Sequence, residues 1–450
     1  MMYITIIKKV LSLVTTQSGK AFFIPDTKLE AYHPIDLGRF EKDGESFPLA
    51  GSIYCPFEYN FKVDESNIAG ATQSYIDWAI QVGLIPDKEA AKEKLARGDF
   101  ARFASLTTVS FDLKSFDPKK MEGLTTIEKI KYIQENHTIP LSLESASRKS
   151  KYLTFLFLHD DWAERQKKPQ LVKRVSELIY KTMESPQEFT LLKAEFYELL
   201  GRKEGENLSD EKDYTLVLGL IKAASDLRKI YSQGFYELTL GKSGVVGYQD
   251  FLASVKQYLE GTDEETLNRE AKQECLTEAI FNQKRLYTCA VYTVYVAAVL
   301  ESGVQIPTTI LPNTSEDQLR INFSRLICRF NGLISAPREK DKPNWVNNDL
   351  NFIKLSREGE GKAVSLEDAL VILLRNINAE SKDSEQILEK MVAELPYLLY
   401  TCIIMQWGIG SIPAQLCSER YSEHRAEGPY IPKDKKPEIG SDFWRFVTPN

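Results

Sequence analysis

From Asn67 onward, apolar residues recur at three- and four-residue spacing with almost no alternation of period two, the pattern of successive amphipathic helices. It predicts helices over residues 69–82, 88–97, 126–134, 151–164, 170–182, 188–200, 212–228 and 248–260. A second series is predicted over 263–287, 288–302, 316–335, 366–378 and 384–408. The expected fold class is therefore all-α. Glycine- and charge-rich stretches at 201–210, 241–247 and 357–362 read as solvated loops between helices. Residues 1–55 mix proline, glycine and aromatic residues and read as an extension that straps onto the helical part; 56–425 read as a single helical domain, and the Pro- and Lys-rich 426–450 as a tail. No internal repeat is visible.

The apolar stretch 290–300 includes Thr293 and falls short of the roughly 20 residues needed to cross a bilayer, so it reads as a buried core helix. Near the N-terminus, Lys8 and Lys9 interrupt a mildly apolar segment that lacks a small-residue cleavage site, which argues against a signal peptide. No integral membrane segment is expected.

With 450 residues, 43% of them hydrophobic, the chain can bury a large core and reads as a soluble globular protein. Its net charge of -7 comes from well-mixed acidic and basic residues with no basic stripe, which argues against a nucleic-acid partner. The six cysteines form no C-x-x-C pair, and four sit in apolar helical runs, as reduced thiols of the cytoplasm do. The four histidines are scattered, which argues against zinc or a Cys/His dyad.

Two oxygen-rich groups stand out. Asn331, Ser335 and Glu339 are spaced i, i+4 and i+8, so on a helix a carboxamide, a hydroxyl and a carboxylate fall within a narrow arc. Asp160 and Glu164 share a face in the same way, with Asp161 beside them. Facing each other, these groups suit a trinuclear magnesium site. Magnesium keeps its waters unless a substrate phosphate completes its shell, so the missing ligand is expected to be a diphosphate.

The run Phe155-Leu-Phe-Leu-His-Asp160-Asp161-Trp-Ala-Glu164 is similar to the aspartate-rich motif of the microbial-type class I terpene synthases, and Asn331-x-x-x-Ser335-x-x-x-Glu339 to their second metal triad. Arg338 stands where a basic residue precedes the glutamate. Arg285, 46 residues before Asn331, resembles the diphosphate-sensing arginine, with Thr288 and Cys289 at the linker and effector positions of a helix break. Arg420-Tyr421, which follows Trp407 by 13 residues, resembles the closing Arg-Tyr pair. Asp77-Trp78-Ala79, Gly83-Leu84-Ile85 and Phe100-Ala-Arg-Phe103 resemble the N-terminal helix signature. The resemblance runs from Pro56 to Tyr421, and in its length the chain is similar to octocoral diterpene cyclases.

The resemblance implies a class I terpenoid synthase helical bundle around a central cavity, a prenyl diphosphate substrate, and three Mg2+ ions bound with the diphosphate. Asp160 and Glu164 would hold two ions with Asp161 in support, and Asn331, Ser335 and Glu339 the third. Arg285, Arg338, Arg420 and Tyr421 would bind diphosphate oxygens. Phe157 and Trp407 would line the cavity, and Ala414, where the family often has a tryptophan, would widen it. That widening, with the chain's length, favours geranylgeranyl over farnesyl diphosphate. A monomer or a homodimer is expected.

Gly332 replaces the family's aspartate beside Asn331, and Pro337 is expected to break or kink the helix before Glu339. A second triad start at Asn347-Asn348-Asp349-Leu350 fails, because Phe352 and Ser356 follow Asn348 at i+4 and i+8; it reads as a helix start after a polar loop. Chain-elongating prenyl transfer would need a second aspartate-rich motif, which the sequence lacks. A non-catalytic scaffold that has lost the third metal is the rival from another class.

Overall fold

The computed structural model describes residues 32–57, 62–85, 95, 98–239, 244–271, 278–308, 315–359, 361–362, 364–391 and 394–417. The described residues open with a β-hairpin. Strands β1 (Tyr32–Lys42) and β2 (Glu45–Tyr54) pair antiparallel about Asp43-Gly44, both with positive φ. A two-residue turn that follows the twist of its strands needs left-handed backbone at both positions, which Asp-Gly supplies at low cost. Ile35, Leu37, Phe40, Phe47, Leu49 and Ile53 pack from the hairpin into a second apolar core, shared with helices from the C-terminal half. The described part of the expected strap, from Tyr32, is thus a hairpin.

Helices follow: α1 (Glu65–Gln81), α2 (Phe100–Leu106), α3 (Thr126–Asn136), α4 (Leu143–Arg165), α5 (Pro169–Glu184), α6 (Lys193–Leu200) and α7 (Leu208–Thr239). The second half holds α8 (Tyr248–Ala271), α9 (Glu278–Thr288), α10 (Val291–Glu301), α11 (Ser315–Glu339), α12 (Asp349–Gly359), α13 (Leu366–Lys390) and α14 (Leu395–Cys417). Asp64 and Ser142 cap α1 and α4, and Thr125–Glu128 and Ser365–Asp368 form capping boxes on α3 and α13, satisfying amide groups that a helix start leaves unpaired.

Three predicted interruptions are absent. Helix α8 runs through Gly261, whose bare Cα lies against Tyr287 and Thr288, so this glycine serves close helix packing and ends nothing. Helix α13 continues past Asn378, with Ser384 donating back to the Glu380 carbonyl at 2.7 Å, and stops at Met391. Pro337 lies inside α11, and the backbone bond from Lys340 to Ala336 carries the helix to Glu339. So near the C-terminus a proline costs only one intrahelical bond. The helix predicted over 88–97 lies outside the described residues except for Leu95.

Helix α11 organises the molecule. Leu319, Phe323 and Ile327 enter the main core, while Leu326, Phe330 and Leu333 enter the hairpin core. Its neighbours include α13 on one side and α14 on another. Within α14, Leu395–Gln415 is long and apolar enough to cross a membrane, yet 83% of its apolar window is buried inside the fold, where it packs against α2, α3, α10 and α11. Those apolar residues serve as core.

Candidate active site

Helix α4 carries the acidic cluster at its end. Tyr152, Phe155 and Trp162 anchor it in the core, and the last turn presents Asp160 and Glu164 to an open cavity enclosing about 870 Å³, mouth included. Asp161, one residue round the helix, is half-buried and does not line that cavity. Carboxylates are disfavoured at a helix C-terminus, which carries partial negative charge. Arg269 of α8 offsets this by donating to the Ala163 and Glu164 carbonyls, each at 2.9 Å.

Helix α11 brings the second group to the same cavity. Asn331 and Glu339 line it, and Ser335 is fully buried between them. The two acidic groups meet at Arg338, whose Nη2 lies 3.1 Å from Glu339 Oε1 and 3.9 Å from Glu164 Oε1. That one guanidinium links the carboxylates of α4 and α11.

Arg285 projects from the last turn of α9. The helix ends at Thr288, and Ala290 takes left-handed backbone, φ 54, before α10 begins. This is the helix break that the sequence places at Thr288-Cys289, and Arg285, Thr288 and Cys289 all line the cavity. Arg285 faces Glu265 at 3.6 Å and Asp349 at 3.5 Å. Its Nε and the Thr288 hydroxyl are buried without a hydrogen-bond partner among the described residues. A cavity wall with such donors is suited to an anionic ligand.

Aromatic and aliphatic side chains make up much of the remaining wall. Phe157 stacks on Phe100 with centroids 5.0 Å apart and meets Phe103 edge-on at 6.1 Å. Trp407 lines the opposite side against Tyr295, centroids 5.1 Å apart. Helix α14 shows the cavity Trp407, Ser411 and Gln415, and Gln415 accepts a bond from Asn331 Nδ2 at 3.3 Å. Ala414 departs from expectation: its methyl is buried in the main core and does not line the cavity. Arg420 and Tyr421 lie outside the described residues.

The segment set aside as a failed triad packs directly beneath Gly332, Ser335 and Glu339. Asn348 Nδ2 donates to the Gly332 carbonyl at 2.9 Å and to Glu339 Oε2 at 2.9 Å, so it fixes the glutamate's orientation. Asp349, the first residue of α12, is buried against Gly332 and Arg285; burial pushes its carboxyl pKa up, and Arg285 and Arg329 pull it back. Glu265, Ser411 and Gln415 also line the cavity without a sequence signal.

Among the described residues, no three His, Cys, Asp or Glu side chains stand close enough together to hold a metal ion. The oxygen donors are divided instead between two helices that face one cavity, with Arg285 and Arg338 between and beside them. Such a divided, hard donor set fits magnesium, which takes one or two carboxylates and completes its shell with water and substrate phosphate.

No protein-family model and no curated protein matches the chain. Solved structures do match in fold. The SVS_A2 protein from ancestral sequence reconstruction shares 12% identity at a TM-score of 0.56, over 87% of this chain and 98% of that one. α-Eudesmol synthase shares 15% identity at a TM-score of 0.55, over 81% and 98%. Hedycaryol synthase in complex with nerolidol shares 14% identity at a TM-score of 0.51, over 80% and 97%. The fold is the all-α class I terpene synthase fold.

Proposed function

We propose that the chain is a magnesium-dependent terpene cyclase that ionises a linear prenyl diphosphate and closes the resulting carbocation to a cyclic hydrocarbon or alcohol, releasing diphosphate. The observation that carries this reading is the lining of one cavity, which joins the carboxylates and cations Asp160, Glu164, Glu339, Arg285 and Arg338, with Asn331, to the apolar Phe103, Leu153, Phe157, Val294 and Trp407. A charged head on a hydrocarbon tail calls for both kinds of wall.

Three magnesium ions, held by Asp160 and Glu164 and by Asn331, Ser335 and Glu339, would act as Lewis acids on the departing diphosphate. Arg285 and Arg338 donate to its oxygens, which gain charge as the carbon–oxygen bond breaks; donors fixed in place before that moment lower the barrier. Thr288 adds a hydroxyl from the helix break. Arg338 exchanges its contact with Glu164 for the diphosphate, which frees that carboxylate as a ligand. The faces of Phe157 and Trp407 stabilise the cation and exclude water.

Two substrate lengths follow from different observations. The chain's length favours geranylgeranyl diphosphate, although the packing of Ala414 in the core removes the local argument for a wider cavity. Farnesyl diphosphate is favoured by the solved neighbours, whose names and bound nerolidol are fifteen-carbon terpenoids. Incubation with geranyl, farnesyl and geranylgeranyl diphosphates, followed by mass-resolved gas chromatography, separates the two. A cyclic product from one of them supports the reading, and consumption of none overturns it.

A further inference from the structure

Gly332 sits about two turns before the end of α11, next to Asn331, where a bare Cα leaves a notch. The notch is filled. A Cβ at this position would stand 2.7 Å from Asp349 Cγ and 2.9 Å from its Cβ, closer than real side chains approach. The side chain that fills it arrives from α12, is 4% exposed, and brings its Oδ2 to 3.5 Å from Arg285 Nη2. Among the described residues Oδ2 has no hydrogen-bond partner, so the charge of Arg285 compensates it there. The start of a helix also favours a carboxylate, since the first amide groups point at it.

We propose that Asp349 is the positioning residue for Arg285: it holds the guanidinium at the diphosphate end of the cavity, and Gly332 is required because the space beside Asn331 admits one carboxylate only. Without Asp349, Arg285 is left with Glu265, 3.6 Å away on α8. The arginine then turns towards α8 and away from α11. Asn348 anchors the same segment through its bonds to the Gly332 carbonyl and Glu339, so the loop before α12 sets both an arginine and a metal-side carboxylate. The inference rests on the reading of the cavity as a diphosphate site.

The test uses Asp349→Asn and the reciprocal pair Gly332→Asp with Asp349→Gly, which supplies the carboxylate from the opposite side of the notch. The probe is inorganic diphosphate with magnesium, titrated calorimetrically alongside thermal unfolding and turnover. Wild-type protein that fails to bind the probe refutes the diphosphate reading itself. Given wild-type binding, Asp349→Asn is expected to weaken diphosphate affinity and lower kcat by about tenfold each, the weight of one charge-assisted contact, at unchanged melting temperature. The reciprocal pair is expected to recover affinity relative to Asp349→Gly alone. An Asp349→Asn protein that binds diphosphate as the wild type does, or a folded reciprocal pair no better than Asp349→Gly, would overturn the proposal.

Discussion

Gly408 gives the most discriminating test of how the site-bearing helices approach each other. It lies on α14 one residue after Trp407, and a Cβ there would stand 2.6 Å from Phe323 Cγ and 2.9 Å from Phe323 Cβ on α11. Carbon atoms rest at about 3.5–4.0 Å, so Gly408→Ala needs roughly an ångström of space. The near end of the ring cannot supply it by rotation, and Phe323 is 1% exposed and packed against Phe57 with centroids 5.7 Å apart. Overpacking of this kind costs about 1–3 kcal/mol, against a gain of up to about 1 kcal/mol from replacing a helical glycine. We therefore expect a net loss of up to about 2 kcal/mol in urea unfolding. As α14 moves out, the Asn331–Gln415 bond at 3.3 Å is lost too, and turnover should fall. With Phe323→Ala in the background the 2.6 Å contact with Cγ is gone and the 2.9 Å contact with Cβ remains, so Gly408→Ala should cost less there than in the wild type. A Gly408→Ala protein more stable than the wild type would mean that helix propensity alone decides, and the close approach of α11 and α14 would be refuted.

Gly219 on α7 meets backbone atoms: a Cβ would stand 2.6 Å from the Gly83 carbonyl carbon and 2.9 Å from the Leu84 nitrogen, so Gly219→Ala should lower stability by about 2 kcal/mol or more by urea titration. Asp263, whose Oδ1 accepts from Ser176 at 2.7 Å, has its carboxyl pKa pushed up to about 6, chiefly by burial. The folded state thus holds this proton more tightly than the unfolded one, and the stability it contributes at low pH is lost as pH rises towards 6. Asp263→Asn should be more stable than the wild type above pH 6, by about 2 kcal/mol, with the gain vanishing below about pH 4 in paired thermal melts. Phe157→Leu removes an aromatic face from the cavity wall and should lower turnover by roughly tenfold and broaden the product mixture on gas chromatography, while leaving diphosphate affinity unchanged.

What the sequence reveals of the site is what a single helix determines. Asp160 with Glu164, and Asn331 with Glu339, reach the cavity because i, i+4 and i+8 spacing fixes their direction before any packing is known. Arg285 and the break after Thr288 are legible only through the family resemblance, by their spacing to Asn331. What stayed hidden depends on contacts between distant segments. Asn348 and Asp349 look like the start of a helix until α12 is laid against α11, and only the bare Cα of Gly332 hints that something must fill the space. Arg338 is legible as a cation, but its place between Glu164 and Glu339 is set by the approach of two helices. Gly261 shows the converse error, since a glycine that permits close packing looks like one that ends a helix. The hairpin did have a local signal, Asp43-Gly44 between alternating apolar residues, which the proline and aromatic content around it obscured.

The central claim is that the two acidic groups act together, through magnesium, on a diphosphate in this cavity. Its most direct test is the rate of diphosphate release from farnesyl and geranylgeranyl diphosphates with magnesium, with magnesium chelated, and with Asp160→Asn. The account predicts release with magnesium from at least one substrate, loss on chelation, and a fall of about a hundredfold or more in the variant, as expected when a metal's oxygen ligand is removed from the reacting centre. Release that persists after chelation, or is equal in wild type and variant, would contradict it.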